Sequence, residues 1–424
     1  MRTLPEWLDH QQRLHPRSID FSLERIRLVL ERLGLTRPRV PVLTVGGSNG
    51  KGSVTALLEA LLGAAGRRVG LYTSPHLTRY EERIRIGGRE IDATSLIAAF
   101  ERVEAARGEL ALTYFEYGTA AALAAFATAQ VDVLVLEVGM GGRLDAVNAL
   151  DADVAVVVSI GLDHCEYLGE TLEAIGCEKA GIFRAGRPAV FGSLAMPASI
   201  ASEAQRIGAR LERLGHEFAA EVGARDWSWR RGATRLDGLP WPGLAGRIQF
   251  DNAATALAAL AAGDLLPPRA AIEQGLSGVR LAGRFERVAG RVDWIFDVAH
   301  NPASASVLAA TLAELPRRGR TLLVIGMLAD KDVAGVGSAL ADALAARDLV
   351  CAVSLTGERA LSADALAARL APLLRRPLAT ALSVEAGCAW AARAARPHDR
   401  VLVCGSFLTV GPAREWHRLY CAPR

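Results

Sequence analysis

The sequence predicts an α/β protein in which a mostly parallel sheet is built around a phosphate-binding loop. Three observations lead to this prediction. The apolar run 42–45 passes directly into the glycine-rich stretch 46–53. Two further runs, 131–138 and 154–159, are too apolar for strands that face water on one side, so they belong inside a parallel sheet. From about residue 288, short apolar strands alternate again with helical patterns, which predicts a second α/β domain.

The stretch 46–53, Gly-Gly-Ser-Asn-Gly-Lys-Gly-Ser, has the residue types that a phosphate cradle needs. Glycines let backbone N–H groups turn toward phosphate oxygens, Lys51 can meet the terminal phosphates, and Ser53 can lie near magnesium. Apolar residues recur at helical spacing over 54–65, so a helix N-terminus would face the anion. The strict Walker expression fails at two positions, and a glycine-rich turn at a sheet edge is the structural alternative. That alternative leaves Lys51 unexplained, which favours nucleotide binding.

The other elements follow in chain order. A helix is expected over 22–34 and a strand over 69–72, which leads into the polar loop 73–77. Tryptophans among arginines, glycines and prolines over 219–247 indicate short antiparallel strands, and a base-stacking platform is the alternative. A helix then begins at Asn252. We expect the first domain to span 1–287 and the second 288–424, with strands at 294–298, 321–327, 349–353 and 401–404.

Composition narrows the class of protein. The 424 residues are 51% hydrophobic and 22% charged, which is typical of a folded protein with large cores. The formal net charge of +3 provides no basic stripe for nucleic acid. The six cysteines lack any paired spacing, and no secretory signal or membrane span is expected. We therefore expect a cytoplasmic protein.

Several polar residues follow predicted strands, where ligands bind in open α/β sheets. Glu137 is followed by a glycine cluster and suits magnesium, but an ion pair at the strand end would explain it equally well. His164 and Ser74 are weaker candidates, because a lone histidine is often structural and Ser-Pro is first a turn. Asp297 ends a strand; it and the imidazole of His300 could face ribose or phosphate, or this segment could only cap the next helix.

Lys179 has no signal of this kind. From its position in a helical pattern, the residue alone would be interpreted as a solvated helix lysine.

Five segments have an order along the chain and amino-acid sequences that are typical of one family. They are Gly-Gly-Ser-Asn-Gly-Lys-Gly-Ser at 46–53, Thr-Ser-Pro-His-Leu at 73–77, Leu-Glu-Val-Gly-Met-Gly-Gly-Arg-Leu-Asp-Ala at 136–146, Glu-Lys-Ala-Gly-Ile-Phe at 178–183 and Phe-Asp-Val-Ala-His-Asn-Pro at 296–302. Together they closely resemble the folylpolyglutamate synthase and dihydrofolate synthase family of the Mur ligase superfamily, from about residue 18 to about residue 410.

The resemblance implies an ATP-dependent amide ligase. It would add L-glutamate to dihydropteroate, forming dihydrofolate, and to the γ-carboxylate of tetrahydrofolate glutamates, through an acyl phosphate. It implies a P-loop ATPase domain with a small antiparallel subregion, followed by a smaller Rossmann-like glutamate ligase domain. ATP and two magnesium ions are the implied cofactors.

The resemblance also implies roles for individual residues. Lys51, Lys179, His164 and His300 would be catalytic. The implied ATP-binding residues are Ser48, Asn49, Gly50, Lys51, Gly52, Ser53, Asn252, Arg284 and Asp297. The implied metal ligands are Ser53, Ser74, Glu137, His164 and Lys179, the last as a carbamate. The implied pterin-binding residues are Ile19, Asp20, Phe21, Thr113, Tyr114, Phe115, Glu116, Leu144, Asp145 and Ala146.

The expected partners are small molecules only, namely dihydropteroate, reduced folates and L-glutamate, with neither nucleic acid nor membrane, and the expected state is a monomer. The alternatives are a folylpolyglutamate synthase without the first activity, another Mur-type amino-acid ligase, and a non-enzymatic protein that closes on ATP.

Overall fold

The computed structural model describes residues 2–17 and 20–421 and divides the chain into two compact units. The first unit contains the residues up to Gly243 together with Phe250–Val279. The second contains Leu244–Gln249 and the residues from Arg280 onward. The predicted functional boundary between 287 and 288 stays a prediction.

The first unit is built on an eight-stranded sheet in the order β4-β3-β2-β5-β1-β6-β7-β8. The six strands from β2 to β8 in this order pair in parallel, whereas β3 and β4 form an antiparallel edge. The strands are β1 Val42–Gly46, β2 Val69–Tyr72, β3 Ile84–Ile86, β4 Arg89–Glu90, β5 Val133–Glu137, β6 Val154–Val157, β7 Pro188–Phe191 and β8 Arg210–Arg213. Strands β1, β5 and β6 are buried throughout and pair in parallel. This confirms the mostly parallel sheet that their apolar runs predict.

Helices cover this sheet and present apolar side chains to it. They are α1 Leu4–Leu14, α2 Glu24–Arg32, α3 Lys51–Ala64, α4 Ala93–Arg107, α5 Tyr114–Ala129, α6 Cys165–Leu168, α7 Leu172–Ala180, α8 Ala198–Ile207, α9 Ile248–Ala262 and α10 Arg269–Gly278, with 3₁₀ turns at Tyr80–Arg83 and Ala146–Ala149. Helix α5 is almost wholly buried, which its alanine-rich sequence permits because small side chains let neighbouring elements approach closely. Within the described residues, no helix combines the length and apolarity needed to cross a membrane.

A small antiparallel sheet, in the order β11-β10-β9, belongs to the same unit. Its strands are β9 Phe218–Val222, β10 Trp227–Arg231 and β11 Thr234–Leu239. Trp227 and Trp229 are 1% and 0% exposed, and the Trp229 indole donates to the Ala254 carbonyl of α9 at 3.1 Å. The antiparallel prediction is confirmed, and a base-stacking role for these two buried rings is wrong.

The second unit has a six-stranded sheet in the order β12-β13-β17-β14-β15-β16, parallel except for β12. The strands are β12 Glu286–Val288, β13 Asp293–Phe296, β14 Thr321–Ile325, β15 Leu349–Val353, β16 Ala379–Ala381 and β17 Arg400–Cys404. Its helices are α11 Pro302–Glu314, α12 Val333–Ala341, α13 Ala363–Leu374, α14 Val384–Ala394 and α15 Phe407–Tyr420. Alternating parallel strands and helices confirm the predicted Rossmann-like domain.

Candidate active site

The predicted phosphate loop connects β1 to α3. Gly47 and Gly50 adopt φ of 141° and 87°, which side chains disfavour. At Gly50 a Cβ atom would also lie 2.7 Å from the Val158 side chain and 3.0 Å from Asn252 Oδ1. Glycine is therefore required here by both backbone conformation and space, and the buried Asn252 of α9 is brought to the loop as predicted.

The loop is held by the segment that follows β6. The Ser48 amide donates to the Ser159 carbonyl at 2.8 Å, and the Asn49 amide donates to Ser159 Oγ at 3.2 Å. Ser159 Oγ in turn donates to the Asn49 carbonyl at 3.0 Å, and Ser48 Oγ donates to the Gly161 carbonyl at 2.9 Å. Sequence reasoning missed Ser159, although its place at the end of a buried run was a usable signal.

The N-terminus of α3 supplies the remaining polar groups of the loop. The first bond of the helix runs from the Val54 amide to the Gly50 carbonyl at 3.0 Å. The N–H groups before it, on Lys51, Gly52 and Ser53, have no acceptor inside the helix, so this end carries the partial positive charge that binds anions. Ser53 is 2% exposed. The predicted phosphate-loop residues from Ser48 to Ser53 therefore lie together at this helix end.

Two lysines meet at one carbonyl oxygen of this loop. The Nζ atoms of Lys51 and Lys179 donate to the Gly47 carbonyl at 2.9 and 3.1 Å. Lys179 is only 5% exposed, so its interpretation as a solvated helix lysine is wrong. Burial, reinforced by the charge of Lys51, lowers the pKa of Lys179 to about 7. About half of the amine is therefore in its neutral form near pH 7.

Lysine is scarce in this chain, which makes the pair more informative. Of 49 basic residues only three are lysines, at positions 51, 179 and 331. Arginine can supply a fixed charge, but its guanidinium stays protonated, whereas a buried lysine amine can lose its proton. The presence of lysine at both positions that donate to the Gly47 carbonyl therefore favours a chemical role for the amine. Sequence reasoning had this signal and did not use it.

A glycine contact positions Lys179. A Cβ atom at Gly142 would lie 2.8 Å from the carbonyl oxygens of both Glu178 and Lys179. The next amide, that of Arg143, donates to the Glu178 carbonyl at 2.9 Å. The glycine-rich loop after β5 therefore packs directly on the end of α7, and Gly142 permits the approach.

The predicted metal ligands begin with Glu137, which ends β5 and is 4% exposed. Its Oε2 accepts the Ser74 amide at 3.2 Å, and its strand position pairs with Val45, just before the phosphate loop. His164 precedes α6 with φ of 53°, and its Nε2 lies 3.9 Å from Asp163 Oδ2. No group of three or more His, Cys, Asp or Glu side chains suited to a metal occurs in the described parts of the chain. A buried carboxylate beside a phosphate loop fits magnesium, which binds through few carboxylates plus phosphate oxygens.

The predicted pterin residue Asp145 lies in the same loop system. It is 6% exposed, and its carboxylate accepts the Met140 amide at 2.9 Å and the Val147 amide at 3.1 Å. Burial raises the pKa of Asp145 to about 6, while backbone hydrogen bonds and Lys51 oppose this. Asp145 is thus within electrostatic reach of the phosphate-loop lysine. Ala146 is buried beside it and Leu144 is partly buried.

An ion-pair network joins two other predicted pterin segments. Arg25 Nη2 lies 3.2 Å from Asp20 Oδ1 and donates to Glu116 Oε2 at 3.3 Å. Glu116 also accepts the Thr113 amide at 2.8 Å, which closes a capping box at the start of α5. Arg25 therefore links the two segments, and sequence reasoning did not identify it. Ile19 lies outside the described residues.

Aromatic side chains surround these segments. Phe115 packs 5.9 Å from the Tyr72 ring, and a Cβ atom at Gly139 would lie 2.6 Å from Phe115. Tyr114 lies under the Arg83 guanidinium at 5.5 Å. Phe21, 38% exposed, contacts Tyr167 edge to face at 5.9 Å. The predicted pterin segments therefore lie among aromatic side chains.

In the second unit, Asp297 follows β13 and accepts the amides of Phe285 and Ala299, both at 2.8 Å. Burial raises the pKa of Asp297, and Arg284 opposes the shift. The Arg284 guanidinium lies 5.2 Å from the centre of the Phe407 ring. His300 Nδ1 is 2.8 Å from the Val298 carbonyl oxygen, which fixes the ring orientation. The three predicted residues therefore cluster at the carboxyl end of β13.

Comparison with known proteins identifies the family. Residues 45–260 match the Mur ligase middle domain, and residues 283–407 match the Mur ligase glutamate ligase domain. The chain is 46% identical to the dihydrofolate synthase/folylpolyglutamate synthase of Escherichia coli, covering 97% of this chain and 95% of that protein. The Mycobacterium tuberculosis enzyme of the same name is 35% identical over 95% of this chain and 91% of its own.

Solved structures agree with this. E. coli FolC in complex with DHPP and ADP has a TM-score of 0.94 and 45% identity over 99% of both chains. The Yersinia pestis bifunctional folylpolyglutamate synthase/dihydrofolate synthase, complexed with AMPPNP and Mn ion, has a TM-score of 0.91 and 43% identity, covering 99% of this chain and 98% of that one. The chain therefore belongs to the dihydrofolate synthase/folylpolyglutamate synthase family of Mur ligases.

Proposed function

We propose that this chain is an ATP-dependent amide ligase that adds L-glutamate to dihydropteroate and to the γ-carboxylate of tetrahydrofolate glutamates. One observation carries the proposal at the level of chemistry: two lysine amines meet on the Gly47 carbonyl at the mouth of a phosphate loop. The overall similarity to enzymes with both activities supplies the substrates.

The reaction needs two bond exchanges. A carboxylate oxygen of the acceptor attacks the γ-phosphorus of ATP, and the bond to the ADP oxygen breaks, leaving an acyl phosphate. The amine of glutamate then attacks the acyl carbon and loses a proton, and inorganic phosphate departs with the bonding electron pair. In both steps negative charge moves between oxygens, so fixed positive groups supply most of the catalysis.

The phosphate loop provides those groups. Lys51 Nζ, now held by the Gly47 carbonyl, exchanges that acceptor for the β- and γ-phosphate oxygens. The amides at the start of α3 and the backbone of Ser48, Asn49 and Gly50 surround the phosphates. Asn252, buried against Gly50, completes the nucleotide side in the first unit.

Magnesium fits the residues next to this loop. Glu137, Ser74, His164 and Ser53 would hold the metal, with two ions in the full complex. When bound, magnesium neutralises phosphate charge and polarises the transferring phosphoryl group. The chain's own contribution is to fix the Glu137 carboxylate, through the Ser74 amide, beside the strand that feeds the phosphate loop.

Lys179 would act as a carbamate. Its neutral amine attacks carbon dioxide, a nitrogen–carbon bond forms as one carbon–oxygen π bond breaks, and one proton is released, so that a neutral amine becomes an anionic oxygen ligand. The pKa of about 7 supports this step, because the neutral amine is abundant at neutral pH. Carbamylation would also remove the repulsion between Lys179 and Lys51.

The remaining assignments follow the same logic. The acceptor would lie against Phe115, Asp145 and the segments linked by Arg25. Arg284, Asp297 and His300 would contact ATP or the reacting groups.

Small molecules are the proposed partners, with neither nucleic acid nor membrane, and a monomer is the proposed state. The six cysteines are all free thiols, which supports a reducing compartment such as the cytoplasm.

One assay tests the proposal. Purified protein is supplied with ATP, magnesium, L-glutamate and one acceptor, and ADP release is measured together with the product mass. We expect turnover with dihydropteroate and with tetrahydrofolate, but not with a peptidoglycan precursor. Turnover with tetrahydrofolate alone would indicate the monofunctional alternative. The proposal would be refuted if neither dihydropteroate nor tetrahydrofolate supported ADP release, or if the protein bound ATP without turnover.

A further inference from the structure

A basic cleft lies at the amino edge of the sheet in the second unit. Strand pairing aligns Asp293, Arg400 and Thr321 in one row, because each starts or nearly starts its parallel strand. Asp297, by contrast, follows the carboxyl end of the same strand that Asp293 begins. The cleft, about 370 Å³ in volume, is therefore separate from the predicted ATP-contacting residues of this unit.

Positive side chains dominate its lining. The cleft is lined by the basic residues Arg287, Arg317, Arg318, His398 and Arg400. Asp293 contributes a carboxylate to the same lining. Arg287 donates to Asp293 at 2.7 Å, and Arg317 forms an ion pair with the buried Asp348 behind it. These two pairs leave Arg318 and Arg400 without an ion pair to a carboxylate in the described parts of the chain, although the buried Asp348 still acts on Arg400 electrostatically.

Arg400 is the informative residue, because it is partly buried. Its Nε donates to Thr321 Oγ1 at 2.9 Å and its Nη1 to the Leu312 carbonyl at 3.2 Å, and both acceptors are neutral. Burial lowers the pKa of Arg400 and the charge of Arg317 adds to the effect, while the Asp348 carboxylate, already paired with Arg317, opposes it. A guanidinium nevertheless stays protonated in proteins, so the fold keeps an only partly compensated cation in a confined space.

A purely structural role does not explain this arrangement. Arg320, nearby in sequence, shows what such a role looks like: it donates to the buried Asp399 at 2.7 Å and to the Ala394 carbonyl at 2.8 Å. Arg318 is exposed, and both hydrogen bonds of Arg400 go to neutral acceptors. A bound anion would supply the missing charge.

We infer that this cleft binds a small polyanion carrying two or more phosphate or carboxylate groups. Arginine forks match both oxyanions bidentately, and converging guanidinium groups favour a ligand with several negative charges over a single carboxylate. The volume lies at the lower end of the range for small-molecule sites, about 300–1,000 Å³. Pyrophosphate and a short γ-linked glutamate oligomer both have this chemistry.

Calorimetry with the full-length chain tests the inference. Pyrophosphate and γ-linked triglutamate are titrated separately at low salt, with saturating ADP present so that the phosphate loop is occupied. The variants are Arg318→Gln, which removes an exposed charge without disturbing packing, and Arg400→Gln. Arg369→Gln, at an exposed arginine on α13 outside the cleft, is the matched control.

We expect at least one probe to bind the unaltered chain, and each cleft variant to weaken binding about tenfold, as the loss of one hydrogen bond to a charged group implies. The control should bind within about twofold of the unaltered chain. Preference for pyrophosphate or for triglutamate identifies the phosphate or the carboxylate source. Absence of binding by both probes, or equal binding by Arg318→Gln and Arg369→Gln, would overturn the inference. The ligation assay described above is independent of either result.

Discussion

Replacing Lys179 by methionine should stabilise the fold in a way that depends on pH. Burial lowers the pKa of Lys179 from its ordinary 10.5 to about 7. Each pKa unit corresponds to about 1.4 kcal/mol, so keeping this lysine protonated in the folded chain costs about 5 kcal/mol relative to the unfolded chain. Methionine has a similar length and no charge, and it loses only the hydrogen bond to the Gly47 carbonyl, about 1 kcal/mol.

The sign of the pH dependence follows from proton binding. Between about pH 7 and pH 10.5 the unfolded chain binds the lysine proton more often than the folded chain does. The unaltered protein therefore gains stability as pH rises through this window, and the advantage of Lys179→Met shrinks by about 1.4 kcal/mol per pH unit. Below pH 7 the advantage is complete.

Urea unfolding of both proteins at pH 6.5 and pH 9, in buffers depleted of carbon dioxide, measures this difference. The free energy of unfolding of Lys179→Met should exceed that of the unaltered chain by several kcal/mol at pH 6.5. The excess should fall by roughly 2–3 kcal/mol at pH 9, because about two pH units of the window lie between these measurements. A difference that is unchanged between the two pH values would show that Lys179 has an ordinary pKa, and the argument for its neutral amine would fail.

Three further outcomes are expected. Lys51→Ala should reduce turnover on the order of 10³-fold in the ADP-release assay, because the charge on the transferring phosphoryl group is lost; near-normal turnover would contradict the assignment of the loop. Lys179→Ala should lower activity on the order of 10²-fold and regain part of it with millimolar acetate or formate, whereas failure of every small acid to rescue would contradict the carbamate. Gly142→Ala should destabilise the chain by about 1–3 kcal/mol, since its Cβ would meet two carbonyl oxygens at 2.8 Å. Gly63→Ala in α3, where a Cβ meets nothing within 4 Å, is its control and should be neutral or stabilising in thermal unfolding.

The parts of the fold that were predictable are those with local, periodic signals. The buried runs of β1, β5 and β6 and the loop before α3 were visible because strand apolarity and glycine placement are properties of contiguous residues. Helix α1 was not predicted; it buries only Trp7 and Gln11. Its place is decided by packing against α4 and α5.

The site was predictable as a set of residues but not as an arrangement. Lys179 looked solvated because the groups that it meets, the Gly47 carbonyl and the loop around Gly142, are distant in sequence. Arg25 was missed for the same reason, because its partner Glu116 lies on another helix. The resemblance indicated that Lys179 matters, and the structure adds its burial, the acceptor that it shares with Lys51 and its lowered pKa.

Ser159 has a consequence for how nucleotide affinity arises. Three hydrogen bonds to Ser48 and Asn49 fix the phosphate loop through one side chain and its carbonyl. Ordering a loop residue costs about 1–2 kcal/mol of conformational entropy, and here that cost is met during folding instead of during binding. We therefore expect that removing the Ser159 hydroxyl would weaken the binding of every nucleotide alike and leave the choice among nucleotides unaltered.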